Sequence, residues 1–286
     1  MLNKRKKILI ICGSVFLGII VLCTIFALVF RLKTVDVEFR SRAVNTNLSE
    51  EAPTRVLETG EFDFGKNILF MNFEENIAKI EKSNPFVKVE QVIRHFPNIV
   101  RVYISEREPK YRVKDKATIT TSWYILDAEF KILDKVSEAE LTEKAVCGNS
   151  NYFDQTIEIS ANTLTFDSLI IGEFATSNIN AYLEQITTGF YGKTKDYTAI
   201  RQIDYNAETE TFNIVMRNEA LDNQKGCTVV IKQTDDLYQK SLKAAACFIS
   251  GQIVDDEEKR FENSQNVLLE IYKNQNGSYV AIASNI

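Results

Sequence analysis

The sequence predicts an α+β protein with one N-terminal transmembrane helix, a small α+β domain, and a larger mixed β domain with packed helices. Three observations carry this. A single long uncharged apolar run stands near the N-terminus. Beyond it, segments with a two-residue hydrophobic period outnumber segments with a helical period. Helical segments are set among strand-like ones, with no low-complexity tract between them.

The apolar run extends from Ile8 to Phe30, 23 residues without a charged side chain. At about 1.5 Å per residue a helix of that length reaches about 34 Å, against a bilayer hydrocarbon core about 30 Å thick. Only a helix satisfies its own backbone hydrogen bonds in lipid. Gly13, Ser14, Gly18 and Thr24 are small interruptions that such helices tolerate. A cleavable signal has an apolar core of about 7 to 15 residues and small residues at its cut site. This run is longer and ends in Leu28-Val29-Phe30-Arg31. A buried core helix of this length would carry a polar face. The run therefore reads as an uncleaved anchor.

Orientation follows from the flanks. Lys4, Arg5, Lys6 and Lys7 precede the anchor, whereas Arg31 and Lys33 are soon followed by Asp36 and Glu38. The denser basic cluster stays in the cytoplasm. Residues 1–7 are then a short cytoplasmic tail, 8–30 the span, and 31–286 lie outside.

The whole chain carries −5, and removing the +4 of Lys4 to Lys7 leaves −9 on residues 31–286. An acidic surface excludes the basic stripe that nucleic acid needs. Outside the span lie Cys147, Cys227 and Cys247, widely separated, and the chain has one histidine, His95. That is neither a disulfide framework nor a metal site. Buried thiols are expected, with a single Cys pair as the alternative. Cys12 and Cys23 serve as small apolar residues within the span.

Thr34 to Phe39 alternates apolar and polar residues, as a half-buried strand does. A polar stretch from Ser41 to Gly60 follows. Within it Ser49-Glu50-Glu51 can open a short helix with Pro53 in its first turn. Gly65-Lys66-Asn67 reads as a turn. Asn72 and Glu75 have the spacing of a helix cap and its counter-cap. Phe73, Ile77 and Ile80 form one apolar face, and Pro85 ends that helix. Phe86 to Val92 and Val100 to Ser105 alternate as strands around the turn Arg94-His95-Phe96-Pro97-Asn98. The order strand, helix, helix, strand, strand makes an α+β domain of residues 31–108.

These residues carry a resemblance. The short basic N-terminus, the single anchor and the strand directly after it resemble the FtsQ/DivIB family of bacterial cell-division proteins. Gly65-Lys66-Asn67-Ile68-Leu69-Phe70 resembles that family's Gly-x-Asn-Leu-Phe turn. Asn84-Pro85-Phe86-Val87-Lys88, Arg94-His95-Phe96-Pro97-Asn98 and Glu106-Arg107-Glu108-Pro109 resemble three further family segments. Two positions depart from the family pattern, Tyr111, where a small residue is common, and Phe130, where a glycine is usual, and the loop from Arg40 to Glu58 is longer than typical. The resemblance implies that residues 31–108 form a POTRA domain.

Residues 109–286 are strand-rich. Trp123 to Leu126 and Phe130 to Leu133 suit a hairpin around Asp127-Ala128-Glu129. Ile179, Leu183, Ile186 and Phe190 make a helical stripe with Ser177 as its cap. Ala199 to Asp204, Phe212 to Arg217 and Cys227 to Lys232 read as strands. A second helix starts at Thr234 with Asp235 and Asp236 in its first turn, and buries Leu237, Leu242, Ala245 and Ile249. Val267 to Tyr272 and Ser278 to Ala283 are closing strands around an Asn-Gly turn. The plan is similar to the β domain of the same family.

No catalytic set stands out. His95 lies in a Phe-Pro turn, and neither a Gly-x-Ser-x-Gly elbow nor a phosphate-binding glycine loop occurs. The acidic clusters Glu50-Glu51, Asp235-Asp236 and Asp255 to Glu258 are expected at solvated turns and helix ends. Asn47-Leu48-Ser49 and Asn276-Gly277-Ser278 match a glycosylation pattern short enough to recur by chance. No enzyme activity, cofactor, metal or small-molecule substrate is expected.

The closing hairpin holds the functional promise. A last strand at a sheet edge would offer unpaired backbone groups to a partner strand, with Tyr272 and Tyr279 adding contact area. It would equally well just complete the core. The resemblance favours the edge, since in FtsQ/DivIB proteins this end receives FtsB/DivIC, itself paired with FtsL. It assigns partner binding to Tyr272, Gly277, Ser278, Tyr279, Val280 and Ile282. The implied protein is a non-enzymatic scaffold at the division septum that helps control septal peptidoglycan synthesis. Two other classes fit an anchored α+β chain less well, a POTRA-bearing assembly or secretion factor and a membrane-anchored cell-wall hydrolase.

Overall fold

A computed structural model describes residues 4–41, 50–115, 121–143, 145–147, 150–161, 166, 169–217, 227–250, 252–253, 256–260 and 267–285. The fold is α+β, with an apolar N-terminal helix and a mixed-sheet domain. Helix α1 runs Lys4–Val29, and its stretch Ile11–Val29 is long and apolar enough to cross a membrane. The chain divides into two compact units, Met1–Glu106 and Arg107–Ile286.

In the first unit α1 is followed by β1 (Thr34–Ser41), α2 (Ala52–Gly60), α3 (Glu74–Ser83), β2 (Val87–His95) and β3 (Ile99–Glu106). The sheet order is β1-β3-β2, with β1 parallel and β2 antiparallel to the central β3. The central strand supplies the core with Val100, Val102 and Ile104, which meet Val56 of α2, Ile80 of α3 and Leu32.

The residues that leave α1 are stitched to this unit by backbone. Leu32 N donates to Lys66 O at 2.8 Å, Gly65 N to Leu32 O at 2.9 Å, and Ile68 N to Phe30 O at 2.8 Å. Gly65 stands at φ +87°, a conformation that glycine adopts at little cost. Arg94 holds the same loop, donating from Nε to Ile68 O at 2.8 Å and from Nη2 to Met71 O at 2.6 Å.

The second unit comprises β4 (Tyr111–Lys114), β5 (Ser122–Leu126), β6 (Ile132–Ser137), α4 (Glu138–Glu143), β7 (Ala145–Cys147), β8 (Ser150–Asn151), α5 (Tyr152–Gln155), β9 (Ile157–Ala161), α6 (Asn180–Thr194), β10 (Ile200–Asn206), β11 (Thr211–Met216), β12 (Cys227–Lys232), α7 (Leu237–Ser250), β13 (Gln252–Ile253), β14 (Asp256–Arg260), β15 (Val267–Lys273) and β16 (Tyr279–Asn285). Nine strands form one mixed sheet in the order β16-β15-β12-β11-β10-β9-β4-β5-β6. Helix α6 connects the parallel pair β9 and β10, and α7 connects the parallel pair β12 and β15. Alternate strand residues such as Ile203, Phe212 and Ile231 pack with Leu183, Ile186 and Phe190 of α6 and Leu237 and Ala244 of α7. On the opposite face a smaller core joins Trp123, Ile125 and Val136 to Leu141 of α4 and Tyr152 of α5.

The two single-residue departures from the family pattern are one pair. Phe130 sits at φ +64° and stacks on Tyr111, with ring centroids 5.0 Å apart and planes within 1°. A left-handed residue with a Cβ costs about 1–2 kcal/mol. Burying a phenylalanine recovers about 1.5–3 kcal/mol, and an aromatic pair adds about 0.5–1.5 kcal/mol. Packing wins, so an aromatic ring occupies a glycine conformation.

Several local expectations are corrected. Helix α3 begins at Glu74 rather than at Asn72, whose side chain accepts from Glu74 N, while Glu75 pairs with Lys79. Ile179 rather than Ser177 occupies the α6 N-cap position, and Ser177 Oγ accepts from Ile179 N at 3.4 Å. Helix α7 starts at Leu237 because Asp236 takes the left-handed φ of 52°. Its buried face includes Leu237, Ser241, Ala244 and Ala245, whereas Leu242 is half-buried and Ile249 is exposed. Asp256 to Glu258 belong to a strand rather than a turn. The Asn47 glycosylation pattern lies outside the described residues.

Close approach of α6 and α7 explains that shifted face. A Cβ on Gly189 would stand 2.7 Å from both Ser241 Cβ and the Tyr238 carbonyl oxygen. At Gly192 it would meet only the flexible end of Leu242, at 3.1 Å. Helix propensity alone favours Gly→Ala by about 0.5–1 kcal/mol, and overpacking against backbone costs about 1–3 kcal/mol. Denaturant unfolding should therefore separate the two variants. Gly189→Ala should lose stability by about 1–2 kcal/mol, and Gly192→Ala should be neutral or slightly stabilised.

Candidate partner-binding edge

The closing hairpin is built by its turn. Asn274 N donates to Ser278 O at 2.8 Å, and Gly277 N to Asn274 O at 2.9 Å. The Asn274 side chain accepts from Asn276 N and Ser278 N at 3.1 and 2.9 Å. Gly277 provides the positive φ, +80°. The turn fixes an antiparallel register in which Tyr272 faces Val280, Ile271 faces Ala281 and Glu270 faces Ile282.

That register sorts the residues by face, because neighbours along a strand point to opposite sides. Leu269, Ile271 and Ala281 are buried against the helices. On the other face stand Tyr272, 37% exposed, Ile282, 47% exposed, and the half-buried Val280 and Leu268. Their neighbours there are Val230 and an ion pair, Lys232 Nζ to Glu270 Oε1 at 3.0 Å.

Of the six residues singled out by sequence, Tyr272, Val280 and Ile282 are thus brought together. Gly277 and Ser278 shape the turn. Tyr279 goes to the opposite face, in register with Lys273. Its hydroxyl donates to Asp236 Oδ2 at 2.7 Å, and Lys273 Nζ reaches the same oxygen at 2.8 Å. The hydrogen bonds from Lys273 and then Tyr279 hold the Asp236 carboxyl below its usual range. Tyr279 therefore ties the start of β16 to the turn before α7. It also lines a groove of about 290 Å³ with Lys193, Gln239, Leu242, Lys243 and Ala246.

The two ends of the sheet differ. At the β6 end the segment Gly172–Ala175 lies along the chain. Ile132 N donates to Glu173 O, Gly172 N to Ile132 O, and Ala175 N to Phe130 O, each at 2.8–2.9 Å. At the other end β16 pairs with β15. The short β13 approaches β16, but no ladder joins them among the described residues.

Several features escaped the sequence. Strand β9 alternates in burial, β4 buries Tyr111, Arg112 and Val113 in a row, and both carried a readable alternation of residue types in Tyr111-Arg112-Val113-Lys114 and Ile157-Glu158-Ile159. The strap at 172–175 and the Asp236–Tyr279 tie join residues far apart in the chain, and no local pattern announces them. The motif residues have structural work. Arg107 Nη1 pairs with Asp127 Oδ2 at 2.6 Å, both groups buried, and Asp127 Oδ1 accepts from Glu129 N and Lys131 N to close the β5–β6 turn.

His95 is half-buried at the end of β2, in register with Ile99. Among the described residues no group of three or more His, Cys, Asp or Glu side chains could hold a metal ion. No protein-family model and no curated protein matches the chain.

Cys227 and Cys247 are buried and outside any disulfide, and Cys147 lies outside the described side chains. Burial pushes the Cys227 thiol up to about 12. The thiolate is the reactive form. Site-resolved mass spectrometry after iodoacetamide treatment at mildly alkaline pH should find Cys227 and Cys247 unmodified in the folded chain. Both should be modified once denaturant is added.

Proposed function

We propose that this chain is a non-enzymatic scaffold of the FtsQ/DivIB kind, anchored by residues 8–30 with its N-terminus in the cytoplasm. Its first unit acts as the POTRA domain beside the membrane. Its second unit receives an FtsB/DivIC-like and FtsL-like pair at the division septum, and so influences septal peptidoglycan synthesis. No cofactor, metal or nucleic acid enters this role.

One observation carries the reading most directly. The strand that the family resemblance assigns to the partner is the terminal strand of a nine-stranded sheet, with its own Val280 and Ile282 and Tyr272 of the neighbouring β15 on the exposed side. A partner strand added there would gain backbone hydrogen bonds from β16 and apolar contact from those three side chains. The motif residue Arg94 lends further support, since it holds the Gly65–Phe70 segment, where the resemblance puts a turn.

Ile282→Lys places a charge on the exposed face without touching the buried Ala281 side. The variant should fold normally and bind the FtsB/DivIC-like–FtsL-like pair of the same cell at least about tenfold more weakly, a loss of about 1.4 kcal/mol. Co-purification and calorimetry check this. Undiminished binding would sink the assignment.

A further inference from the structure

We propose that the base of the first unit docks on the bilayer, with Phe70 and Phe96 seated in the lipid interface beside the end of α1. This rests on reading α1 as a membrane anchor. Phe70 is 86% exposed and Phe96 is 59% exposed. Single exposed apolar residues need no explanation, but these two share a location.

Both sit where α1 ends. The segment 65–68 runs antiparallel to residues 30–32 through the backbone bonds at Leu32, Gly65 and Ile68, and Phe70 N closes a turn onto Asn67 O at 3.1 Å at that level. Phe96 is in the β2–β3 turn, whose Asn98 carbonyl accepts from Lys33 N at 2.9 Å. Its ring meets Phe30 edge-on at 5.7 Å, and Phe30 contacts Phe26 of α1 at 4.5 Å. Phenylalanines thus run without a break from the apolar helix to the tip of a domain turn. Arg31 and Lys33 are exposed beside them and suit lipid phosphate.

Lipid is the occupant the geometry favours. If α1 spans the bilayer, Phe30 lies at its surface, and the backbone ties hold the two turns at that height. Aromatic rings and basic side chains are the residues that settle at headgroup level. The contact needs little affinity of its own, because α1 keeps the surface at high effective concentration. Docking would set the height and tilt of the first unit above the membrane.

Tryptophan scanning of the full chain in phosphatidylcholine nanodiscs tests this. The parent chain has one tryptophan, the buried Trp123, which provides the baseline. Phe70→Trp, Phe96→Trp and the mid-helix Ile20→Trp all change exposed side chains, so folding is not at risk. Lipids brominated near the glycerol end of the acyl chains should quench Phe70→Trp and Phe96→Trp beyond the baseline, with blue-shifted emission. Lipids brominated deep in the chains should quench Ile20→Trp most. Quenching of Ile20→Trp with Phe70→Trp and Phe96→Trp at baseline would overturn docking and leave the anchor standing, as expected if those rings await a protein partner instead. An unquenched Ile20→Trp would overturn the anchor, and docking with it.

Discussion

An open β-sheet has two edges, and every edge presents backbone donors and acceptors that need partners. That constraint organises the second unit. At the β6 edge the chain meets the need itself, laying Gly172–Ala175 along Phe130 to Ile132. At the β16 edge the backbone is paired on one side by β15. The asymmetry gives the sheet a direction, with the start of β6 strapped by the chain itself and the closing hairpin as the end proposed to receive a partner.

The rest of the unit ties the closing hairpin in place. Helix α7 connects β12 to β15 and packs on α6 at a crossing tight enough to require Gly189. The turn before α7 presents Asp236, which holds both Lys273 and Tyr279 across the hairpin. Tyr279, read from sequence as a contact residue, works from the other face as a fastener. Tyr272, Val280 and Ile282 are then displayed by a hairpin that is already fixed in register, so a partner strand would not need to order it.

Much of this was legible in the sequence because the signals were local. Alternation gave β1, β2, β3, β10, β11 and β12, the stripe Ile179, Leu183, Ile186, Phe190 gave α6, and Asn-Gly gave the final turn. What was illegible is non-local or energetic. The start of α7 moved because Asp236 adopts a left-handed conformation that its tertiary partners support. The buried face of α7 moved because Gly189 lets Ser241 approach closely. Phe130 took a glycine conformation because Tyr111, some twenty residues earlier, offered its ring a stacking partner. The strapping of the start of β6 by residues about forty further along the chain leaves no periodic trace at all.

The central claim is that β16 is the surface where a partner strand adds. Hydrogen–deuterium exchange on the full chain in nanodiscs, with and without the FtsB/DivIC-like–FtsL-like pair, tests it at the backbone. Edge addition predicts that outward amides within Tyr279–Asn285 become protected while those of the interior strand β10 stay as they were. A complex that forms with β16 exchange unchanged, and new protection elsewhere, would contradict it.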